Sequence, residues 1–174
     1  MRVLIQRVSE ARCRIAGEVY SEIGAGMVVL VGVGCDECDD DIEWLVKKIP
    51  ALRIFDDEAG VMNLSVNDIK GDVMIVSQFT LHASTRKGNR PSWIKAAPEA
   101  VSRPLYTRFV ERMEEALGRR VATGSFGADM KIELINDGPV TIWIDTKNRE
   151  SSVICVNLVT FCVFPVPVSY THLR

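Results

Sequence analysis

The sequence predicts an α+β (mixed α/β) fold, in which a mixed β-sheet carries two helices. Short runs that are apolar, or that alternate between apolar and polar residues, recur along residues 1–144, as they do in strands. Apolar residues follow a helical spacing in the segments 36–50 and 99–117. Neither G-x-G-x-x-G nor G-x-x-x-x-G-K occurs, so the pattern favours neither a dinucleotide site nor a P-loop, and a doubly wound fold is not indicated.

The composition is that of an ordinary globular protein. The chain has 174 residues, of which 47% are apolar and 25% charged, enough for one domain with a substantial core. A net charge of −2 argues against a surface coated in basic charge, but it leaves room for a local basic patch. Charge appears early, at Arg2 and Arg7, without a long apolar core, so we expect a cytoplasmic protein with no membrane partner.

Four strands are predicted in the first part of the chain. The first places Arg7 on the same side as two apolar residues. The second and third form a hairpin that turns at Ala16-Gly17, and the fourth is apolar enough for a central strand. The predicted strands span residues 1–9, 12–15, 18–23 and 27–33.

The two predicted helices have recognisable ends. Acidic residues fill the first turn of 36–50, lysines fill its last turn, and a proline ends it. In 99–117 apolar residues recur every four positions, and Gly118 ends the helix. Pro104 is expected either to make the first turn of this second helix irregular or to move its start to about Ser102.

The rest of the chain predicts further strands and polar loops. A short strand begins at 53–55, and an irregular polar loop covers 62–68. The segments 131–135 and 140–144 are predicted to pair as a hairpin, with a turn over 136–139.

The predicted strand 73–81 has the composition of a functional site. It begins as an apolar run, typical of a strand buried on both faces, and ends in the hydrogen-bonding side chains of Ser77, Gln78 and Thr80. Side chains alternate along a strand, which would put Gln78 and Thr80 on one face. Residues 73–98 contain no acidic residue, and the loop after the strand carries Arg86, Lys87, Arg90 and Lys95. The segment is either a locally capped strand end before a solvated loop or a site for an anionic substrate.

The cysteines and histidines favour neither a disulfide framework nor a metal site. Five cysteines are an odd number, and the C-x-x-C at Cys35 and Cys38 is surrounded by acidic residues that disfavour a redox pair. A zinc site there would need two more ligands, and the only histidines are His82 and His172. We expect no metal and no cofactor.

The end of the chain differs from the rest. The segment 153–168 is apolar, contains two prolines and has no amphipathic pattern, and it is too short and too interrupted for a membrane helix. We predict one domain over 1–147 and a foreign or disordered extension over 148–174.

Two motifs taken together resemble the signatures of the D-aminoacyl-tRNA deacylases. They are Ser77-Gln78-Phe79-Thr80 and Asn136-Asp137-Gly138-Pro139-Val140-Thr141. The resemblance runs from Met1 to about Thr146, and several separate matches in order are a stronger signal than any one alone. The other matches are Gln6-Arg7-Val8, Gly24-Ala25-Gly26, Arg53-Ile54-Phe55, Met62-Asn63-Leu64, Arg90-Pro91-Ser92, Phe126 and Ala128-Asp129-Met130.

The resemblance implies a cytoplasmic homodimer with a barrel-like sheet. It implies hydrolysis of the ester bond between a D-amino acid, or mischarged glycine, and the 3′ end of tRNA, with L-aminoacyl-tRNA rejected. The implied pocket residues are Ser77, Gln78, Phe79 and Thr80.

The resemblance also implies roles for residues outside that strand. Gly138 and Pro139 would share a cis peptide bond, reach into the partner's site and exclude L side chains by steric conflict. Arg7 would support this pair, and Phe126 with Met130 would hold the terminal adenosine.

The implied chemistry needs no catalytic triad. An aminoacyl ester is already activated, so a pocket that orients water and stabilises an oxyanion with the N–H groups of Phe79 and Thr80 is sufficient. The substrate's own ribose hydroxyl is one possible base. Thr80 as a nucleophile is the other option, although no adjacent base is evident. His82 shares the predicted strand face with Thr80, but the family does not require a histidine there.

Two other functions stay open on the residues alone. One is a non-catalytic nucleic-acid-binding homodimer that uses the basic loop 86–95. The other is a general small-ester hydrolase that uses Ser77 or Thr80, which the lack of a nearby histidine and acid pair disfavours.

Overall fold

A long first strand organises the sheet. The computed structural model describes residues 1–149, so the predicted extension over 148–174 lies outside the described part except for its first two residues. The strands are β1 (Arg2–Ile15), β2 (Glu18–Ile23), β3 (Gly26–Gly32), β4 (Phe55–Asp56), β5 (Met62–Leu64), β6 (Asp72–Ser77), β7 (Ala122–Thr123) and β8 (Met130–Asp145). The helices are α1 (Asp39–Lys48) and α2 (Glu99–Leu117).

Strand β1 is the antiparallel centre of the sheet. Its first half pairs with β3, its second half with β2, and nearly its whole length with β8. Alternate side chains such as Val3 and Ile5 are fully buried, as the period of two predicts. The segments 1–9 and 12–15, predicted as separate strands, are therefore one strand, because β8 pairs with the residues between them.

The parallel part of the sheet carries the apolar runs. β6 pairs in parallel with β3, and β7 pairs in parallel with β6. The stretch from Val73 to Val76 is buried, as expected for a strand covered on both faces. The Ser21 hydroxyl in β2 donates to the Thr123 carbonyl in β7 at 2.7 Å, which links strands from opposite ends of the sheet. The sheet is thus mixed and nearly closed, and the predicted fold class is confirmed.

The two helices cover one side of the sheet. Phe109 and Met113 of α2 are fully buried in the main core, together with Ile42 and Leu45 of α1. Helix α2 spans Glu99–Leu117, as the segment 99–117 predicted, and the alternative start near Ser102 is wrong. No helix within residues 1–149 is long and apolar enough to span a membrane.

The early start of α2 depends on Pro98. The Pro98 carbonyl accepts the N–H groups of Val101 and Ser102 and the Ser102 hydroxyl, so the first turn is satisfied ahead of Pro104. Pro104 lies inside the helix, where it has no backbone N–H to donate to the ladder.

Three other local predictions are wrong. The hairpin predicted over 131–144 is one continuous strand, because both halves pair with β1 and the register shifts of the β1–β8 pair absorb the irregular residues. The predicted strand 73–81 stops at Ser77, and a short 3-10 helix, Phe79–His82, follows it. The predicted polar loop 62–68 contains β5, which pairs with β4.

A buried carboxylate ties α1 to the end of β8. The Asp41 side chain is 3% exposed, accepts the Lys147 ammonium at 2.8 Å and accepts the Cys38 N–H at 2.9 Å. Burial alone would raise the pKa of Asp41, but the hydrogen bonds from Lys147, Thr146 and Cys38 outweigh it and hold that pKa well below its usual range. Because the pKa of Asp41 is lower in the folded state, its ionised carboxylate stabilises the protein at pH values above the unfolded-state pKa. That stabilisation is lost as the pH falls toward the folded-state pKa.

Asp41→Asn is expected to lower the free energy of unfolding at pH 7 by about 1–3 kcal/mol, because Lys147 loses its buried partner. The difference from the wild type should shrink as the pH falls below about 4, where unfolded aspartates take up protons. Urea unfolding at pH 7 and pH 3 measures this difference in the free energy of unfolding. The control is Asp40→Asn, at an exposed aspartate in the same helical turn. An equal loss at both pH values would contradict the ionic contribution.

Candidate active site

A cavity of about 420 Å³ lies at the end of β6, beside the N-terminal half of α2. Its wall is mixed, with aromatic and aliphatic side chains around a few polar groups, as in small-molecule sites. Of the residues that the sequence singled out, the cavity is lined by Ser77, Gln78, Phe79, Phe126 and Met130. Two segments nearly 50 residues apart in the chain are thereby brought together.

The 3-10 turn gives the Ser-Gln-Phe-Thr motif its shape. Gln78 N–H donates to the Val31 carbonyl at 2.7 Å and so extends the parallel ladder by one residue beyond Ser77. The chain then turns, so Gln78 and Thr80 do not share a strand face as predicted. Their side chains still meet, because the Gln78 amide donates to the Thr80 hydroxyl. Thr80 itself is not part of the cavity wall.

The turn also leaves two backbone donors available. Leu81 N–H donates to Gln78 O, and Ala83 N–H donates to Thr80 O. The N–H groups of Phe79 and Thr80, at the start of the turn, have no acceptor within the described part of the chain. Two adjacent unpartnered N–H groups beside a cavity are suited to bind a developing oxyanion.

A glycine makes room for this turn. A Cβ at Gly32 would lie 2.9 Å from the Gln78 carbonyl oxygen and 3.0 Å from the His82 ring. His82 is 5% exposed, packs against Gly32 and Gly34, and has an Nε2 atom without a hydrogen-bond partner in residues 1–149. Burial lowers the pKa of His82, so its imidazole is neutral near pH 7. It lies outside the cavity wall, and the expected shared strand face with Thr80 is wrong.

The cavity wall includes the aromatic ring of Phe126, which has two close neighbours. The Phe126 ring lies 5.5 Å from the Tyr106 ring, and the Arg103 guanidinium lies 4.6 Å from the Phe126 centroid. The buried Tyr106 hydroxyl donates to the Ile75 carbonyl at 2.8 Å, which fixes the tyrosine, and burial raises the pKa of that hydroxyl. The sequence does not single out Tyr106 as a site residue, because an aromatic residue on the apolar face of a helix is typical of a core residue.

Arg7 and Gly138-Pro139 form a second cluster. The Arg7 guanidinium is buried and donates to the carbonyls of Asp137 at 3.0 Å and Ile54 at 2.7 Å. It also pairs with the carboxylates of Asp56 and Asp137 at 3.3 Å each. The bond between Gly138 and Pro139 is cis, as the resemblance implies, and Gly138 has a φ of +116°.

The two clusters do not meet within one chain. None of Arg7, Gly138 and Pro139 lines the cavity. Residues 1–149 contain no group of three or more histidine, cysteine and acidic side chains that could hold a metal ion.

Comparison with characterised families agrees with these motifs. A family model described as D-Tyr-tRNA(Tyr) deacylase matches residues 4–145. A Bacteroides thetaiotaomicron protein named D-aminoacyl-tRNA deacylase is 58% identical over 150 residues, which are 86% of this chain and 100% of that protein. A Chromobacterium violaceum protein of the same name shows the same identity and coverage.

Solved structures show the same architecture. The c-Myc DNA Unwinding Element Binding Protein superposes with a TM-score of 0.78 at 37% identity, over 83% of this chain and 98% of that one. A structure described as a probable eukaryotic D-amino acid tRNA deacylase superposes with a TM-score of 0.71, over 82% of this chain and 97% of that one. At 19% identity this second likeness shows the fold alone. The family model and the close relatives establish more: this chain belongs to the D-Tyr-tRNA(Tyr) deacylase family.

Proposed function

We propose that this protein is a hydrolase that releases D-amino acids, and mischarged glycine, from the 3′ end of tRNA and spares L-aminoacyl-tRNA. Membership of the family and relatives named D-aminoacyl-tRNA deacylase support this activity. The observation that carries it is the pair of unpartnered N–H groups at Phe79 and Thr80, beside a cavity of about 420 Å³. We infer a cytoplasmic location from the proposed tRNA substrate.

Water attacks the ester carbonyl in this scheme, and the carbonyl oxygen becomes an oxyanion. The N–H groups of Phe79 and Thr80 stabilise that charge. When the tetrahedral intermediate collapses, the carbon–oxygen bond to the ribose 3′-oxygen breaks, and that oxygen takes up a proton. Stacking on Phe126, with Met130 beside it, holds the terminal adenosine in place.

The hydrogen bonds of Thr80 bear on the choice of base. The Thr80 hydroxyl accepts a hydrogen bond from the Gln78 amide. No histidine or carboxylate in residues 1–149 forms a hydrogen bond with that hydroxyl. A hydroxyl without an adjacent base is a weak nucleophile. This supports the substrate's own ribose hydroxyl as the group that activates water, with Gln78 and Thr80 as groups that shape the site.

The second cluster is proposed to act in a homodimer. Gly138 and Pro139 are held by a buried, multiply bonded Arg7 and lie outside the cavity of their own chain. A rigid backbone segment of this kind is suited to enter the partner's cavity and to occupy the space of an L side chain. Selection by exclusion also explains why glycine, which has no side chain, is accepted.

One alternative has an observation in its favour. The solved structure that is 37% identical is named c-Myc DNA Unwinding Element Binding Protein. A non-catalytic nucleic-acid-binding homodimer with the same fold would use the basic loop 86–95. A small-ester hydrolase finds no such support, because neither Ser77 nor Thr80 bonds to a histidine and acid pair within residues 1–149.

The decisive test is amino-acid release from one tRNA charged in parallel with glycine and with the D and the L form of one amino acid. Release of the D form and of glycine, at a rate proportional to enzyme, is expected, while L-aminoacyl-tRNA decays at the rate of the uncatalysed ester. Release of both enantiomers would contradict the exclusion role. Binding of tRNA without any release would favour the non-catalytic alternative.

A further inference from the structure

Two exposed aromatic rings extend from the cavity onto the surface. Phe79 lines the cavity yet is 56% exposed, and Trp93, 42% exposed, contacts it edge-on with ring centroids 5.4 Å apart. Ile94, next to Trp93, is 84% exposed. Large apolar groups clustered on a surface indicate a binding region more often than scattered ones do.

The loop that carries Trp93 is fixed to the cavity wall. We call residues 84–95 the rim loop. Its base is closed by reciprocal bonds, from Ser84 N–H to Ser92 O at 2.8 Å and from Ser92 N–H to Ser84 O at 2.9 Å. Just after the loop, Ala97 N–H donates to the Val33 carbonyl, and both of these residues line the cavity. The loop is therefore held beside the site.

The rim loop is basic, and its charges are not used internally. Arg86 and Arg90 are the only arginines in residues 1–149 that form neither a hydrogen bond nor an ion pair. Elsewhere the arginines are engaged, as Arg112 is with Glu43. The exposed cations of the rim loop are Arg86, Lys87, Arg90 and Lys95, and the surrounding segment 73–98 has no carboxylate.

We propose that the rim loop and the Phe79–Trp93 pair form a binding surface for single-stranded RNA, which holds the unpaired nucleotides that precede the terminal adenosine. This inference rests on the proposed function and adds where the tRNA is gripped outside the chemical site. Bases stack on aromatic rings without sequence preference, and free arginines neutralise the phosphates between them. The surface begins where the cavity ends, so the strand leaves the site directly onto it.

The test compares a long and a short substrate. Arg86→Gln combined with Arg90→Gln should raise KM for D-aminoacyl-tRNA about tenfold and leave kcat unchanged, because two phosphate contacts are lost. Hydrolysis of the matching D-aminoacyl-adenosine, which has no preceding nucleotide, should not change. The slope of log affinity against log salt should fall by about 1.4, at roughly 0.7 per single-strand phosphate.

A matched control removes two charges elsewhere. Lys70 and Arg120 are exposed and lie near the C-terminal end of α2, where Arg119 donates to the carbonyl of Gly71, the residue after Lys70. That end is roughly 27 Å from the cavity end of the helix at about 1.5 Å per residue. Lys70→Gln combined with Arg120→Gln should leave KM for both substrates unchanged. Trp93→Ala should weaken binding of uncharged tRNA, but not of tRNA trimmed of its unpaired 3′ end.

The outcomes separate this inference from the proposed function. Equal effects of the double arginine variant on both substrates, or no effect on either, would overturn the inference while hydrolysis persists. If the wild type hydrolyses neither substrate, the proposed function fails. In that case a smaller salt slope for uncharged tRNA in the arginine variant still supports the RNA surface, and an unchanged slope overturns it as well.

Discussion

Phe79→Pro is expected to release D-amino acid from tRNA about 10²–10³-fold more slowly than Phe79→Ala, the cost of removing one oxyanion donor. Both variants lack the aromatic ring, which lines the cavity and contacts Trp93. Only the proline also lacks the N–H group. The difference in kcat between the two variants therefore isolates the backbone donor from the side chain.

The backbone at this position accepts a proline. Phe79 is the first residue of the 3-10 turn, where proline is well tolerated, and its N–H has no acceptor within residues 1–149. The preceding residue, Gln78, has φ −144° and ψ 82°, outside the helical region that proline disfavours for its neighbour. The thermal midpoints of the two variants should agree closely, which makes a folding defect a poor explanation for lost rate.

Single-turnover release from D-aminoacyl-tRNA measures the chemical step directly. Equal rates for Phe79→Pro and Phe79→Ala would show that the Phe79 N–H does not stabilise the transition state. A large loss already present in Phe79→Ala would instead assign the main contribution to the ring.

Gly138→Ala is expected to lower the free energy of unfolding by about 2–4 kcal/mol, from overpacking and an unfavourable backbone angle together. A Cβ at this position would lie 2.6 Å from the Arg7 Nη2 atom and 3.0 Å from Val140 Cγ2. Arg7 cannot move cheaply, because it is buried and donates to two backbone carbonyls. The φ of +116° at Gly138 adds to the cost for any L side chain.

The same substitution should also relax selection between enantiomers. The new methyl group displaces either the Gly138-Pro139 backbone or Arg7, so the proposed wedge no longer fits. Release from L-aminoacyl-tRNA should then become measurable, while release from the D form persists in the fraction that is folded. An unstable variant that still spares L-aminoacyl-tRNA would contradict the role of this cluster in exclusion.

Two controls separate the causes of the instability. Gly118→Ala, at a φ of +65° with no atom within 4 Å of the new Cβ, should cost only about 1 kcal/mol. Arg7→Ala combined with Gly138→Ala should lose less stability than the sum of the single variants, because removing the guanidinium also removes the clash. Additive losses would show that the contact with Arg7 is not the cause of the instability of Gly138→Ala.

The sequence identified most residues of the site, but it did not predict their three-dimensional arrangement. Ser77, Gln78, Phe79, Phe126 and Met130 line one cavity, and the motif resemblance had grouped them. The free N–H groups of Phe79 and Thr80 depend on the 3-10 turn, which period-two alternation does not predict. Tyr106 was missed because its hydroxyl bonds to the Ile75 carbonyl of a distant strand.

The sequence by itself determined the properties that depend on local chemistry. The apolar runs of β3 and β6, the two helical periods and the unbroken lack of acid in 73–98 are all readable along the chain. Hydrophobic periodicity and charge depend on residues that are neighbours in the sequence, so they can be read without knowledge of the fold.

Only the tertiary structure decided what depends on partners far along the chain. β1 and β8 are one strand each, where the sequence predicted two segments for both, because each is held by pairing with the other along nearly its whole length. Arg7 and Gly138 meet through that same pairing, 131 residues apart, and leave the cavity of their own chain untouched. Strand pairing and burial override local turn signals because each backbone bond left unmade in the core costs more than a local preference supplies.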